Sequence, residues 1–204
     1  PLINPVEMAL VDHSAVEDIV RADPTYVDAF ATAFTDKQVN IENIATAIAA
    51  YEEMLLTPSP WDDYLKGNVA ALNPQARAGL EKFMKYECTA CHMGTTLGGN
   101  NFQKFGVLHP YWEHTGSASQ DKGRYEVTGN EADMFVFRTP GLSNIADTAP
   151  YFHDGSVDSL EKAVAIMGKI QLDVELSDAD VADIVAFLKA TSGQVDEKYR
   201  HAPK

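Results

Sequence analysis

Cys88-Thr89-Ala90-Cys91-His92 sets two thiols three positions apart and follows them at once with an imidazole. On one helical turn, two such thiols can add across the two vinyl groups of a haem. The next residue then offers its imidazole to the iron, and Cys-x-x-Cys-His is the attachment signature of a c-type haem. The chain has two cysteines, and this motif uses both. Two other chemistries share part of the pattern. A thioredoxin-like redox pair wants a βαβ context, and no β-rich run lies near the motif. A structural zinc site needs four ligands, usually with a second Cys/His pair at similar spacing. No second pair exists, and His109 and His114 sit in a loop at the wrong spacing.

Outward from the motif, the 204 residues suffice for one or two domains, and 45% hydrophobic content is enough for a core. There are 30 acidic against 16 basic side chains, a formal charge of −14. Nucleic acid would be repelled and is excluded as a partner. An acidic surface favours basic partners and speeds their arrival, which suits small basic electron carriers. No run of about 18 apolar residues occurs, so no membrane span is encoded. Pro1 to Pro5 do not form a signal peptide. Covalent haem attachment takes place outside the cytoplasm, so the expected location is periplasmic and the chain is expected to be a mature or truncated form.

The pattern predicts helices throughout. Ser14 and Glu17 read as a capping box for a short helix over 15–21. Pro24 suits the first turn of a second helix, and Asn40 caps a third that carries Ile41, Ile44, Ile48 and Leu55. Thr57-Pro58-Ser59-Pro60 breaks the pattern and marks a domain boundary. Trp61 to Lys66 reads as a short helix ended by Gly67. Asn73-Pro74 opens a helix through Leu80, Phe83 and Met84 into the haem motif, with Met84 expected to pack. From Gly94 to about Ala132 the chain is irregular, as suits a loop wrapped on a cofactor. Phe102, Phe105, Tyr111 and Trp112 are its candidate contacts, or ordinary core. Phe135-Val136-Phe137 reads as extended, Ser159 to Met167 as a helix, and Ser177 opens a last one with stripe Val181, Ile184, Val185 and Leu188. The tail from Gly193 is polar, and loose or packed on a neighbour.

His92 leaves one axial position on the iron, which Met or His can fill. Met93 is adjacent and cannot reach the opposite face, and Met8 and Met54 precede the Pro-rich boundary. Met134 and Met167 remain, with His109, His114 and His153 as competitors. Met167 is favoured because it ends the predicted helix and Gly168 lets the backbone approach a planar group closely. Ordinary core filling is the commoner use of such a Met.

Several stretches together resemble the bacterial dihaem cytochrome c peroxidases, the family that includes the MauG-type enzymes. They are Asn4-Pro5-Val6-Glu7-Met8, Leu55-Leu56-Thr57-Pro58, Tyr64-Leu65-Lys66-Gly67, the haem motif, Leu97-Gly98-Gly99-Asn100 and Asp121-Lys122-Gly123-Arg124. Thr148-Ala149-Pro150-Tyr151-Phe152-His153-Asp154-Gly155 and the run from Ala163 through Met167-Gly168 to Leu188 complete them. The resemblance covers nearly the whole chain and is closer to the peroxidases than to MauG, where a Tyr takes the place of the Met.

The resemblance implies two c-type haems in two helical domains. It makes His92 and Met167 the axial ligands of the high-potential, electron-accepting haem. The motif of the peroxidatic haem, its distal His and the Trp between the haems have no counterpart in this sequence. Glu7 matches the acidic residue that moves protons as the O–O bond breaks. The carbonyls of Thr148 and Pro150 match calcium ligands, whose Asn partner belongs to the segment without a counterpart. Charge alone suggests Arg138 as partner of a haem propionate, or as an ordinary surface residue. The expected fold is all-α: a remnant of the peroxidatic domain over 1–57, a c-type cytochrome domain over 58–197 and a tail over 198–204. The expected function is part of a periplasmic enzyme reducing hydrogen peroxide to water with electrons from a small cytochrome c or cupredoxin. One haem c is expected in this chain and two in the intact enzyme, with calcium as an added ion. The N-terminal haem domain and a second copy in a homodimer are further expected partners. A mono-haem electron-transfer cytochrome without catalysis and a MauG-like dihaem oxidase are the alternatives.

Overall fold

The structure, a computed structural model, describes residues 2–200. It is mostly helical, with a single two-stranded sheet among the described residues. The chain divides into two units: Thr57–Val195, and a smaller one made of the chain up to Leu56 together with the segment from Asp196.

The smaller unit holds α1 (His13–Arg21), α2 (Pro24–Ala33) and α3 (Ile41–Met54). Val16, Phe30, Val39 and Ile44 form its core. Asp23 and Asn40 cap α2 and α3 by accepting from backbone N–H groups, and Pro24 occupies the first turn. The start of α1 differs from the sequence reading. Asp12, not Ser14, is the N-cap, accepting from the Ala15 N–H at 2.9 Å. Glu17 is turned elsewhere: it accepts from the Ile41 N–H at 2.9 Å and pairs with Arg21 at 2.8 Å. The polar tail forms a short 3₁₀ turn over Glu197–Tyr199, and the Tyr51 hydroxyl donates to the Tyr199 carbonyl at 2.9 Å.

The larger unit is built on α5 (Pro74–Lys85) crossing α9 (Asp178–Lys189), preceded by α4 (Pro60–Leu65) and with α8 (Leu160–Leu172) beside α9. Leu80 and Phe83 from α5 meet Ile184, Phe187 and Leu188 from α9 in the core. Each such side chain contributes about 1.5–3 kcal/mol on burial. The helices approach so closely that a Cβ on Gly79 would meet the Asp183 backbone and come within 2.9 Å of Phe187 Cβ. Trp61 of α4 joins edge-on to Phe187 at 5.3 Å, and its Nε1–H donates to the Thr95 carbonyl at 2.9 Å. Lys82 ties the same two helices from outside, with its ammonium 2.7 Å from Asp180 and 2.6 Å from Asp183.

Two expectations change here. Helix α5 does not run into the haem motif. It stops at Lys85, Glu87 takes a left-handed conformation (φ 57°), and a separate 3₁₀ turn begins at Cys88. Met84, one position past buried Phe83, falls off the core face and is 51% exposed. The irregular stretch contains β1 (Phe102–Lys104), α6 (Trp112–Thr115) and α7 (Tyr125–Thr128). Strand β1 pairs antiparallel with β2 (Val136–Arg138), with Gln103 opposite Phe137.

The beginning and end of the larger unit are clasped by Asn144, itself left-handed at φ 58°. Its Nδ2–H donates to Thr57 Oγ1 at 2.7 Å, and its Oδ1 accepts from the Gly193 N–H at 2.8 Å. A Cβ on Gly193 would collide with the carbonyls of Thr57 and Pro58.

Candidate haem-binding site

Within the larger unit, a cavity of about 430 Å³ opens between the Cys88–His92 segment, β2, α8 and α9. Its walls are overwhelmingly apolar, with Phe83, Leu142, Ile145, Leu160, Ile184 and Leu188 among them. Cys88, Cys91, His92, Arg138, Thr148, Pro150 and Met167 all line it. Sequence positions spread over 80 residues thus converge on one space. Glu7 belongs to the smaller unit, on an exposed turn where the Asn4 side-chain amide donates to its Oε1 at 3.2 Å.

Local structure presents the motif. The turn at Glu87 redirects the chain, the His92 N–H donates to the Cys88 carbonyl at 2.9 Å, and the Asn101 side-chain amide donates to the Cys91 carbonyl at 3.2 Å. His92 Nδ1 lies 3.1 Å from the Leu97 carbonyl. A carbonyl can only accept, so Nδ1 carries the proton and Nε2 keeps its lone pair. Gly98 makes this approach feasible: at φ 129°, a Cβ there would meet the Pro140 carbonyl and lie 3.3 Å from His92 Nδ1. Burial lowers the pKa of His92 against the opposing pull of the Leu97 and Pro140 carbonyls, which favours the neutral, ligand-competent imidazole. Burial pushes the Cys88 thiol up to about 11 and raises Cys91 as well. A redox-active Cys-x-x-Cys needs the opposite shift. Among the described residues, no three His, Cys, Asp or Glu side chains converge on a metal-binding arrangement.

Met167 also lines the cavity, in the body of α8 and not at its end, because the helix continues to Leu172. Gly168 lines the cavity too, but its missing Cβ chiefly admits Leu176, whose side-chain carbons would lie 3.0 Å from a Cβ. Of the six methionines, only Met167 lines this cavity; Met8, Met54, Met84 and Met93 are exposed. Among the competing histidines, His153 lines it and His109 and His114 do not. The His153 ring stacks on Phe137 at 4.4 Å, with its Nε2 3.7 Å from Asp121.

Of the four aromatic residues proposed as cofactor contacts, Phe105 alone lines the cavity. It stacks on Tyr111 at 4.8 Å and leans on Phe152 at 5.1 Å. Tyr111 is fully buried behind it, its hydroxyl donating to the Asp121 carbonyl at 3.0 Å. Phe102 is 53% exposed beneath Arg124, and Trp112 packs on Phe135. Sequence reasoning missed Phe137, Phe152 and Gln171 as lining residues. The pairing of Phe137 with Gln103 was invisible because it joins strands far apart in sequence.

Arg138 sits at the rim, exposed, with Nε–H and Nη2–H both donating to the Gly99 carbonyl at 3.1 and 2.9 Å. The residues present fit haem c: paired thiols, an imidazole with a free nitrogen and a methionine line one largely apolar cavity. They do not by themselves fit calcium. The Thr148 and Pro150 carbonyls are two oxygens where the ion takes six to eight, and no acidic cluster adds to them among the described residues.

A helical unit enclosing an apolar cavity, with Cys-x-x-Cys-His on its wall, defines a c-type cytochrome fold. Comparison with known proteins narrows the class. A sequence model of the di-haem cytochrome c peroxidase family matches residues 1–70. Over 95% of its length the chain is 45% identical to the cytochrome c551 peroxidase of Nitrosomonas europaea and 47% identical to that of Pseudomonas aeruginosa. It spans 57% and 56% of those two relatives. A crystal structure of a MauG-like protein associated with microbial copper homeostasis superposes with a TM-score of 0.76 at 28% identity, covering 98% of this chain and 67% of that one. The diheme peroxidase BthA of Burkholderia thailandensis shares the fold at a TM-score of 0.70 and 22% identity, covering 98% of this chain and 62% of that one. The chain belongs to the dihaem cytochrome c peroxidase family.

Proposed function

We propose that this chain carries the electron-accepting haem of a periplasmic peroxidase that reduces hydrogen peroxide to water. Cys88 and Cys91 would hold one haem c through thioethers, with His92 Nε2 and Met167 as axial ligands. Bound haem supplies a one-electron centre, which His/Met ligation keeps coordinatively closed and at high potential. The observation that carries the reading is the meeting of both thiols, the oriented His92 and Met167 on one apolar cavity. Met167 is preferred to His153, whose ring is already engaged by Phe137.

The chain's own residues do the rest. The apolar walls exclude water, and the Leu97 carbonyl fixes the His92 tautomer. Arg138, anchored on Gly99, offers its remaining N–H groups to a propionate. Glu7 would serve the peroxidatic haem of the neighbouring domain, taking a proton from one peroxide oxygen and returning it to the other. Two electrons and two protons convert each peroxide into two waters, the electrons coming from a small basic cytochrome c or cupredoxin that the −14 charge attracts. The smaller unit exposes Val6, Val11 and Ile19, apolar surface suited to a neighbouring haem domain. Calcium would need oxygens beyond Thr148 and Pro150.

Mass spectrometry tests the core claim. The chain matured with haem gains about one haem mass over the unmodified polypeptide. Its ferric form shows the weak band at about 695 nm that marks Met ligation, and Met167→Ala removes it. No mass gain, or a band indifferent to Met167→Ala, overturns the assignment.

A further inference from the structure

Helix α8 carries Met167 and, one turn later on the same face, Gln171, which also lines the cavity. The Gln171 side chain bridges to the loop after β1. Its Oε1 accepts from the Val107 N–H at 2.9 Å, and its Nε2–H donates to the Lys104 carbonyl at 3.1 Å. Between those two anchor points lies Phe105, part of the cavity wall. The last carbonyls of a helix lack partners within it. Here the Asp173 and Val174 N–H groups satisfy the Lys169 and Gly168 carbonyls, and the same loop serves Ile170: the N–H groups of Leu108 and His109 both donate to its carbonyl, at 2.9 and 3.2 Å. Those two bonds share one oxygen, and Leu160, Ala163 and Ile170 are buried along the helix. Gln171 spans the loop at two separate points and thereby opposes rotation of α8 about its own axis. A rotation of about 20° moves a side-chain atom about 6 Å from the axis by about 2 Å. Metal–ligand bonds tolerate about 0.2 Å.

Resting on the axial role proposed for Met167, we propose that Gln171 is a positioning residue. Its two hydrogen bonds hold α8 in the rotation that presents the Met167 thioether to the iron. Gln171 touches neither iron nor peroxide in this role and acts through Met167.

The test uses the haem-loaded full-length protein in its ferric form. The readouts are the band at about 695 nm and the concentration of imidazole that displaces the Met. Gln171→Leu keeps the bulk and removes both bonds; Gln171→Glu keeps the acceptor for Val107 and loses the donor to Lys104. The expected result is a weakened band in Gln171→Leu, with displacement at about tenfold lower imidazole. Gln171→Glu falls between it and the parent, and circular dichroism is unchanged in both. If Gln171→Leu fails to take up haem, Gln171→Glu decides, and an unchanged imidazole affinity there overturns the proposal. Parental band and affinity in both variants also overturn it, provided Met167→Ala loses the band. If Met167→Ala keeps the band, the axial reading itself falls, and the role of Gln171 falls with it.

Discussion

At the scale of single residues, the site depends on what two positions lack or hold. Gly98 lacks a Cβ where the Pro140 carbonyl and His92 Nδ1 leave no room for one. Gly98→Ala combines left-handed strain with a collision against backbone. It is expected to cost about 2 kcal/mol or more, read as a lowered thermal midpoint together with poorer haem retention. Glu7 holds a carboxylate on an exposed turn remote in sequence from the motif. Under the proposed peroxidase function, Glu7→Gln in the intact enzyme is expected to slow peroxide turnover about 100-fold or more while the band at about 695 nm persists. Equal turnover in the two proteins would remove Glu7 from the proton path.

At the scale of elements, most helix starts were legible, and the C-terminal ends of α5 and α8 and the helix contacts were not. Asn40, Asn73 and Ser177 cap the helices that their side chains announce, because a cap bonds to a backbone group three residues away. Ser14 misled because Asp12, two residues earlier, competes for the same role. The haem motif was legible for the same local reason. The Phe137–His153 stack and the Gln171 bridge join residues 16 and more than 60 positions apart, so no local pattern encodes them. The same holds for the Lys82 tie between α5 and α9. The Lys82 ammonium, then the Ser177 and Tyr86 hydroxyls, hold the Asp180 carboxyl down to about 2, below its ordinary 3.8. A carboxyl depressed by folding adds stability that is complete above its ordinary value and fades as pH falls toward its folded value. The larger unit is therefore expected to lose stability between about pH 4 and about pH 2, and Asp180→Asn to flatten that slope in acid denaturation. A slope unchanged by the substitution would assign the acid sensitivity to other carboxyls.

At the scale of the whole molecule, charge governs encounters. With a net −14, association with a basic donor is expected to slow about tenfold as ionic strength rises from about 0.01 M to about 0.15 M. Stopped-flow mixing at the two salt levels measures it, and a salt-independent rate would argue for a neutral or acidic donor. The Asn144 clasp carries a different consequence. It brings the entry strand at Thr57 and the exit at Gly193 to one side chain, so the polypeptide of the larger unit begins and ends at the same place. In the covalent order of the chain this unit is an insert, because the smaller unit resumes at Asp196. An insert with adjoining ends costs its host almost no loop-closure entropy. It can be moved, duplicated or rejoined end to end as a cassette, and these 139 residues form a part already cut to fit another host.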